Sequence, residues 1–349
     1  MSLPSQPNSA NGAPIISQAI AWHKAGHGVA LATVSKTWGS SPCPVGSHLA
    51  VRDDAAFEGS VSGGCIEGEV VTEALGLIRA GEGCKSLDFG IAHEDAWHVG
   101  LACGGKVSVF VSALDDNTVS VMKGLETAIS TGKATALLAD QNTGAHGLWV
   151  DGALEAGDLE LNGAQMQELV ARFASDRSGT IGGESEHPLF ARVYNPRLRM
   201  FIVGAVHIAQ NLAEMAARAG YDITVIDPRD TWGTDERFPS VKLDRRWPSI
   251  ALEDLRPDIR TAVVTLSHDP KLDDPALLAA FDSPAFYIGC LGSKKTHAAR
   301  LKRLRDAGVS DNHIARIHAP VGLDIGAQNP GEIAVAALAQ ITQALRRPV

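Results

Sequence analysis

The chain lacks the excess of basic residues that is typical of nucleic-acid-binding proteins. Its 349 residues include 31 Lys and Arg against 40 Asp and Glu, for a formal net charge of −9. A nucleic-acid interface needs basic patches that neutralise phosphates. The composition therefore predicts that nucleic acid is not a partner.

Segments for membrane insertion and export are missing as well. No apolar run reaches the roughly 18 residues that a membrane-spanning helix needs, so we expect no membrane partner. Residues 1–14 have neither a basic start nor an apolar stretch, which favours a disordered tail over a signal peptide. We therefore expect a cytoplasmic protein in a reducing compartment.

Cysteine is scarce, and its spacing disfavours the commonest cysteine sites. The chain has five cysteines, at positions 43, 65, 84, 103 and 290. An odd number in a reducing compartment predicts thiols rather than disulfides. Neither C-x-x-C nor a four-ligand spacing occurs, which disfavours zinc. Papain-like catalysis is disfavoured too, since no third group that would orient His93 or His98 is evident.

The sequence pattern changes at a polar, glycine-rich stretch that ends near residue 196. Mixed helical and strand patterns over 15–196 predict an N-terminal α+β domain. Over 197–349, short apolar strands alternate with helical patterns. This alternation predicts a Rossmann-like α/β domain with a doubly wound parallel sheet, closed by a helix over 330–346.

The stretch "GSVSGGCIEGEVV" places Cys65 just before a predicted helix. The positive end of the helix dipole would stabilise a thiolate at this position. Gly63 and Gly64, with Ser62 beside them, would leave backbone N–H groups open as a nest for an anion. We therefore predict a reactive thiol next to an anion cradle.

A similar stretch, "GLACGGKV", places Cys103 before Gly104 and Gly105 and could supply a second thiolate. The alternative for any single cysteine is a small buried apolar side chain, and this alternative is the one we adopt for Cys84 and Cys290. The Gly-Gly context favours a functional role for Cys65 and Cys103.

The C-terminal half carries a degenerate dinucleotide-binding fingerprint. "GAVHIAQNLA" begins with Gly204, and Asp227 closes the next strand, where it could bind a ribose hydroxyl. Val206 stands where the second glycine of the fingerprint lets the pyrophosphate approach. A Rossmann fold without dinucleotide binding is therefore an equal alternative, and NAD(P) is disfavoured.

Two further segments of this half could bind ligands at the ends of strands. Before a basic helix, Ser293 and Lys294 could hold an anion, although a solvated helix face is the alternative; Ala298, Leu301 and Leu304 would mark its buried side. His268 and Asp269 give only a weak metal signal. Asp273 and Asp274 are predicted to cap a helix.

These motifs together resemble the xanthine dehydrogenase accessory protein family (XdhC/CoxI). The N-terminal resemblance lies in "GSSPCPVG", "GSVSGGCIEGEVV" and "GLACGGKV". The C-terminal resemblance lies in "FIVGAVHIAQNLA", "LSHDPKLDDPAL", "YIGCLGSKKTHAARLKRLRDAG" and "IHAPVGLDIGAQNPGEIAVAALAQI". The match covers roughly residues 15–345 in the same order.

The resemblance implies a chaperone, not an enzyme, with molybdenum cofactor (molybdopterin) as its cargo. It implies that the cofactor is held for sulfuration and then inserted into a xanthine dehydrogenase-type molybdenum hydroxylase. Partners would be the hydroxylase large subunit and a cysteine desulfurase-type sulfurtransferase, with a homodimer plausible. Cys65 and Cys103 match family signatures and could contact molybdenum, whereas Cys43 falls where variation is expected.

Two other functions remain open from the sequence. One is an NAD(P)-dependent oxidoreductase built on the C-terminal domain, against which Val206 counts. The other is a thiol-redox protein that acts through Cys65 and Cys103.

Overall fold

The structure, a computed structural model, describes residues 12–39, 41–81, 83–90, 105–183, 185, 187–239 and 241–347. The chain divides into two compact units, Met1–Pro196 and Arg197–Val349. Within the described residues, no helix has both the length and the apolar character needed to cross a membrane.

The first unit contains ten strands and four helices in its described part. In chain order they are α1 (Ala13–Lys24), β1 (Val29–Trp38), β2 (His48–Arg52), β3 (Phe57–Gly59), α2 (Glu67–Ala80), β4 (Cys84–Gly90), β5 (Lys106–Ala113), α3 (Asp116–Ser130), β6 (Thr135–Asp140), β7 (His146–Val150), β8 (Ala153–Gly157), α4 (Gly163–Ser175), β9 (Gly179–Ile181) and β10 (Leu189–Tyr194). The helix α1 begins at Ala13, inside the stretch 1–14 that the sequence predicts to be a tail; residues 1–11 lie outside the described residues.

These strands form two antiparallel sheets, ordered β3-β2-β1-β5-β4 and β8-β7-β6-β10-β9. The central strand β1 is buried on both faces, because alternate side chains of a strand point to opposite sides. Val29 and Leu31 join one core with α1 and α3. Ala30 and Ala32 join another core, against which α2 packs. The first sheet therefore lies between helices.

The second unit is a parallel α/β domain. In chain order its elements are β11 (Leu198–Val203), α5 (His207–Arg218), β12 (Tyr221–Ile226), β13 (Lys242–Asp244), α6 (Pro248–Leu255), β14 (Thr261–Thr265), α7 (Pro270–Phe281), β15 (Tyr287–Cys290), α8 (Lys294–Asp306), α9 (Asp311–Ala315), β16 (Ile317–His318) and α10 (Pro330–Arg346). Its sheet order is β13-β12-β11-β14-β15-β16, and each neighbouring pair of strands is parallel.

The order of strands in this domain confirms the predicted fold class of mixed α/β with a C-terminal Rossmann-like sheet. The helix α5 shows why the pattern was informative: Ala209, Leu212, Ala213 and Ala216 recur at helical spacing, and all are buried against the sheet. The strand order reverses between β11 and β14, which places their carboxyl ends at the switch point where ligands bind in such folds.

Candidate functional site

Three segments meet at one end of the first sheet. The loop 39–47 precedes β2, and the loop 60–66 follows β3, which pairs with β2 in antiparallel register at Leu49 and Gly59. Gly105, which directly precedes Lys106, reaches the same end, because Lys106 pairs with Trp38 at the end of β1. Strand pairing therefore gathers loops that are far apart in the sequence.

Glu67 organises the loop 60–66. It is the first residue of α2, it is buried, and its carboxylate reaches back into the loop. One carboxylate oxygen accepts from the Ser60 hydroxyl at 2.6 Å and from the N–H groups of Val61 and Ser62 at 3.2 and 3.0 Å. The other accepts from the Ser62 hydroxyl and from the Gly64 N–H at 2.9 Å. A single carboxylate thus closes the loop.

These hydrogen bonds set the charge state of Glu67. Burial alone would raise the pKa of its carboxyl, but the hydrogen bonds from Ser60 and Ser62 outweigh burial and lower the pKa to about 2. The group is therefore an anion at neutral pH.

The anion nest expected at Ser62, Gly63 and Gly64 is consequently filled by the protein itself. The Gly63 N–H donates to the Ser60 hydroxyl at 2.9 Å, and the Gly64 N–H is taken by Glu67. Both glycines have a positive φ, which turns the loop around the carboxylate. The expectation of open N–H groups for a phosphate was wrong, because the first turn of the helix supplies the anion.

Cys65 lies at the exit of this loop, two residues before α2 begins. Its N–H donates to the buried Ser62 hydroxyl at 3.0 Å, as does that of Ile66 at 3.1 Å. The Cys65 side chain is partly exposed and packs against the apolar core that includes Ala30 and Ala32. The loop therefore fixes the backbone of Cys65, and a functional role for its thiol stays a prediction.

The sequence motifs assign no role to Cys43, but the structure places it in this neighbourhood. The Cys43 Sγ lies 3.6 Å from the Ser60 Oγ. Pro42 contacts the next loop closely, since a Cβ added to Gly63 would stand 3.4 Å from the Pro42 Cβ. Strand pairing could have predicted this position of Cys43, because the loop before β2 and the loop after β3 meet once these two strands pair.

Cys103 and Gly104 lie outside the described residues. Gly105 is described and buried, and a Cβ added to Gly39 would be 3.4 Å from its Cα. This contact brings the segment that begins at Gly105 against the loop 39–47. The roles predicted for Cys103, Gly104 and Gly105 stay predictions.

In the second unit, the fingerprint loop after β11 is held by protein groups on both sides. The Ala205 N–H donates to the Asp227 Oδ2 at 2.8 Å, and the Ala205 carbonyl accepts from Arg237 at 2.9 Å. Gly204 has a φ of 102°, and a Cβ there would stand 2.8 Å from the Ser267 backbone. The loop is thus held between Asp227, which follows β12, and Ser267, which follows β14.

The ribose-binding role considered for Asp227 conflicts with this arrangement. Asp227 is 2% exposed. Both of its oxygens accept from Arg229, at 2.8 Å from Nε and 2.7 Å from Nη2, in addition to the bond from Ala205. Burial raises the pKa of Asp227, but these bonds outweigh burial and lower it. A carboxylate so engaged has no exposed oxygen for a hydroxyl.

Ser293 and Lys294 are exposed at the start of α8. The Ser293 hydroxyl caps the helix by accepting from the Thr296 N–H at 3.2 Å. Their strand, β15, is separated from β11 by β14, so the sheet does not place them beside Gly204. Anion binding at Ser293 and Lys294 stays a prediction.

Asp273 and Asp274, which follow β14, make contacts other than the predicted helix caps. Asp269 is the residue that caps α7, through the Lys271 N–H. Asp273 is buried and accepts from the Ser267 hydroxyl at 2.7 Å and from Arg300 at 3.5 Å. Asp274 accepts from Arg303. The predicted caps at Asp273 and Asp274 were wrong, because both carboxylates pair with arginines of α8.

The basic helix α8 buries Leu304 and exposes Arg305 as predicted, but two other residues differ from the prediction. Arg300 is 2% exposed, and Ala298, predicted to be buried, is exposed. Among the described residues, no group of three or more His, Cys, Asp or Glu side chains could hold a metal, including the region of His268 and Asp269.

Comparison with known proteins covers both units. The model of the "XdhC and CoxI family" matches residues 22–90, and the model of the "XdhC Rossmann domain" matches residues 200–341. The chain belongs to the XdhC/CoxI family. The first match includes the loops 39–47 and 60–66, and the second includes the fingerprint loop, so the family resemblance expected from the sequence is confirmed.

Curated relatives of this XdhC/CoxI protein align along most of its length. The molybdenum cofactor insertion chaperone PaoD of Escherichia coli is 27% identical over 318 residues, which are 90% of this chain and 83% of PaoD. A probable xanthine dehydrogenase subunit of Bacillus subtilis is 26% identical over 331 residues, or 91% of this chain and 93% of that protein.

A solved structure supports the fold of this family member. The crystal structure of a xanthine dehydrogenase from Bacillus halodurans superposes with a TM-score of 0.70, 23% sequence identity and 96% coverage of both chains. At this identity the likeness supports the fold alone.

Proposed function

We propose that this protein is a chaperone that binds molybdenum cofactor as cargo and inserts it into a xanthine dehydrogenase-type molybdenum hydroxylase. The observation that carries the proposal is the family membership of both units, with PaoD, named as a molybdenum cofactor insertion chaperone, aligned along 90% of the chain. The role is delivery rather than catalysis.

The finer steps of the proposal concern the sulfur ligand and the partners. The chain holds the cofactor while a cysteine desulfurase-type sulfurtransferase supplies sulfur, and then releases it to the large subunit of the hydroxylase. Loops that present thiols suit this task, because thiolates are the soft ligands that a sulfur-ligated metal accepts.

Within this proposal, Cys65 contacts the cargo, and Glu67 is a positioning residue. Because the Glu67 carboxylate holds the N–H groups of Ser62 and Gly64, it fixes the turn from which Cys65 projects. The same bonds leave those N–H groups unavailable to the phosphate of the cofactor, so we assign this loop to the metal end of the cargo.

The test is cofactor retention by the full chain. The protein is produced in cells that make molybdenum cofactor, and bound pterin is measured by fluorescence after oxidation, with molybdenum measured by mass spectrometry. We expect pterin and molybdenum to co-purify with the wild type and with Cys84→Ser, and to fall in Cys65→Ser. Cys84 is the matched control, a partly exposed thiol hydrogen-bonded to the Gln141 carbonyl. Pterin no higher in the wild type than in an unrelated protein would refute the proposal.

The oxidoreductase alternative is disfavoured by Asp227, whose oxygens are engaged by Ala205 and Arg229. We expect calorimetry to detect no NAD or NADP binding in the low micromolar range. Micromolar binding of either nucleotide would reopen the oxidoreductase alternative.

A further inference from the structure

We propose that Cys43 and Cys65 form a dithiol site that takes one soft, thiophilic centre between its two sulfur atoms. The proposal that the two thiols form one site does not depend on the proposed function. Its extension, that the centre is the molybdenum of the cargo, rests on the proposed function.

The first support is the contact between the two loops that carry these cysteines. A Cβ on Gly63 would meet the Pro42 side chain at 3.4 Å, so the Pro42 ring lies beside the loop that presents Cys65. Cys43 follows Pro42 directly, and Cys65 lies two residues beyond Gly63, a span of at most about 7 Å along the backbone. The chain therefore places one thiol on each side of the same contact.

The second support is the hydrogen bonding of Ser60. Its Oγ lies 2.6 Å from the Glu67 Oε1, and a carboxylate can only accept, so the single hydroxyl proton points there. Towards Cys43 at 3.6 Å and the Gly63 N–H at 2.9 Å, the same oxygen can only accept. Cys43 thus donates its S–H into the loop that presents Cys65.

The third support is the surrounding of the two sulfur atoms. Both cysteines are partly exposed, and both pack against the same apolar core. Glu67, the acid that closes the loop, accepts hydrogen bonds on both oxygens, from Ser60, Ser62 and Gly64. Among the described residues there is no set of three or more metal ligands.

A pair of thiols suits a bound metal-containing group that carries other ligands of its own. A closed structural site for a bare metal ion uses four protein ligands. A metal centre bound by only two protein thiols keeps its other ligands and can leave. This property is the one that delivery of a metal-containing cargo requires.

Phenylarsine oxide tests the dithiol without any cofactor. The two thiols form two S–As bonds, and the oxygen of the reagent leaves as water with both thiol protons, so no oxidant or reductant is needed. We expect the reduced full chain to bind one equivalent that resists competition by a monothiol, as measured by intact-mass spectrometry. Losing either thiol should weaken binding by about a hundredfold or more, because the second bond is no longer intramolecular.

Four variants make the assignment. Cys43→Ser and Cys65→Ser should each lose the resistant adduct, while Cys84→Ser and Cys103→Ser should keep it. Thermal unfolding of each variant, with Cys43→Ala as a second substitution, separates loss of the thiol from loss of the fold.

The proposal is overturned if the wild type forms no resistant adduct, or if folded Cys43→Ser and Cys43→Ala retain it. Loss of the adduct in Cys103→Ser together with its retention in Cys43→Ser would identify Cys103 as the partner of Cys65 and would equally overturn the proposal. Pterin retention is measured separately, so failure of the cofactor proposal leaves the arsenical result interpretable.

Discussion

At the scale of single residues, Glu67 matters most for the N-terminal site. It accepts five hydrogen bonds from the loop before its own helix. A buried donor that loses its partner costs about 1–3 kcal/mol. The loop therefore depends strongly on this one carboxylate.

We expect Glu67→Gln to lower the free energy of unfolding by about 1–3 kcal/mol, because an amide offers one acceptor oxygen and turns N–H groups towards donors of the loop. Urea denaturation at neutral pH measures the change. Glu69→Gln, an exposed position in the same helical turn, is the control and should change stability little. Equal effects of the two substitutions would contradict the role assigned to Glu67.

The stabilisation by Glu67 should also depend on pH in a defined direction. Its pKa is lowered from an ordinary 4.5 to about 2, so the anion stabilises the fold fully above pH 4.5. The contribution is lost as the pH falls from 4.5 towards 2. The stability difference between wild type and Glu67→Gln should therefore shrink on acidification from pH 5 to pH 3. A constant or growing difference would show that the pKa is not lowered.

At the scale of elements, the buried pair of Asp273 on α7 and Arg300 on α8 joins two helices of the Rossmann-like domain. Both side chains are 2% exposed. Arg300 also donates to the Leu291 carbonyl at 2.9 Å, at the end of β15. Removing one partner of a buried pair leaves the other charge uncompensated.

Arg300→Leu should therefore destabilise the protein by about 3 kcal/mol, near the lower end for buried pairs because Ser267 still donates to Asp273. Arg305→Leu on the same helix is the control. Arg305 is 54% exposed and pairs with the exposed Asp311, so its loss should cost less than about 1 kcal/mol. Chemical denaturation compares the two, and similar losses would disprove a structural role for the buried pair.

The elements themselves follow largely from local pattern. Short apolar runs separated by helical stripes such as Ala209–Ala216 are sufficient to predict a parallel sheet with flanking helices. The family resemblance, carried by motifs that span both domains, was likewise available from the sequence and is confirmed.

Pairings between distant side chains are not encoded in a periodic pattern. Asp227 occupies the fingerprint position, yet its bonds to Ala205 and Arg229 depend on how two loops meet. The contact of Cys43 with Ser60 likewise depends on the pairing of β2 with β3. For Glu67 a signal existed, since an acidic residue in the first helical turn attracts free N–H groups.

At the scale of the whole molecule, the family match covers two units that carry different chemical groups. The first unit carries the thiols of Cys43 and Cys65, and the second carries a Rossmann-like sheet whose fingerprint loop is held by Asp227 and Arg237. A protein that delivers a cofactor must bind it and also give it up. Retention of pterin alone therefore tests only half of the proposed function.

The most direct measurement is transfer of the cofactor to the partner enzyme. Full-length protein loaded with molybdenum cofactor is mixed with cofactor-free molybdenum hydroxylase, the two are separated, and pterin and hydroxylase activity are measured in each. We predict that pterin leaves this chain and appears in the hydroxylase together with activity, and that this chain is absent from the active enzyme. Pterin that stays on this chain while the hydroxylase remains inactive would contradict the proposed function.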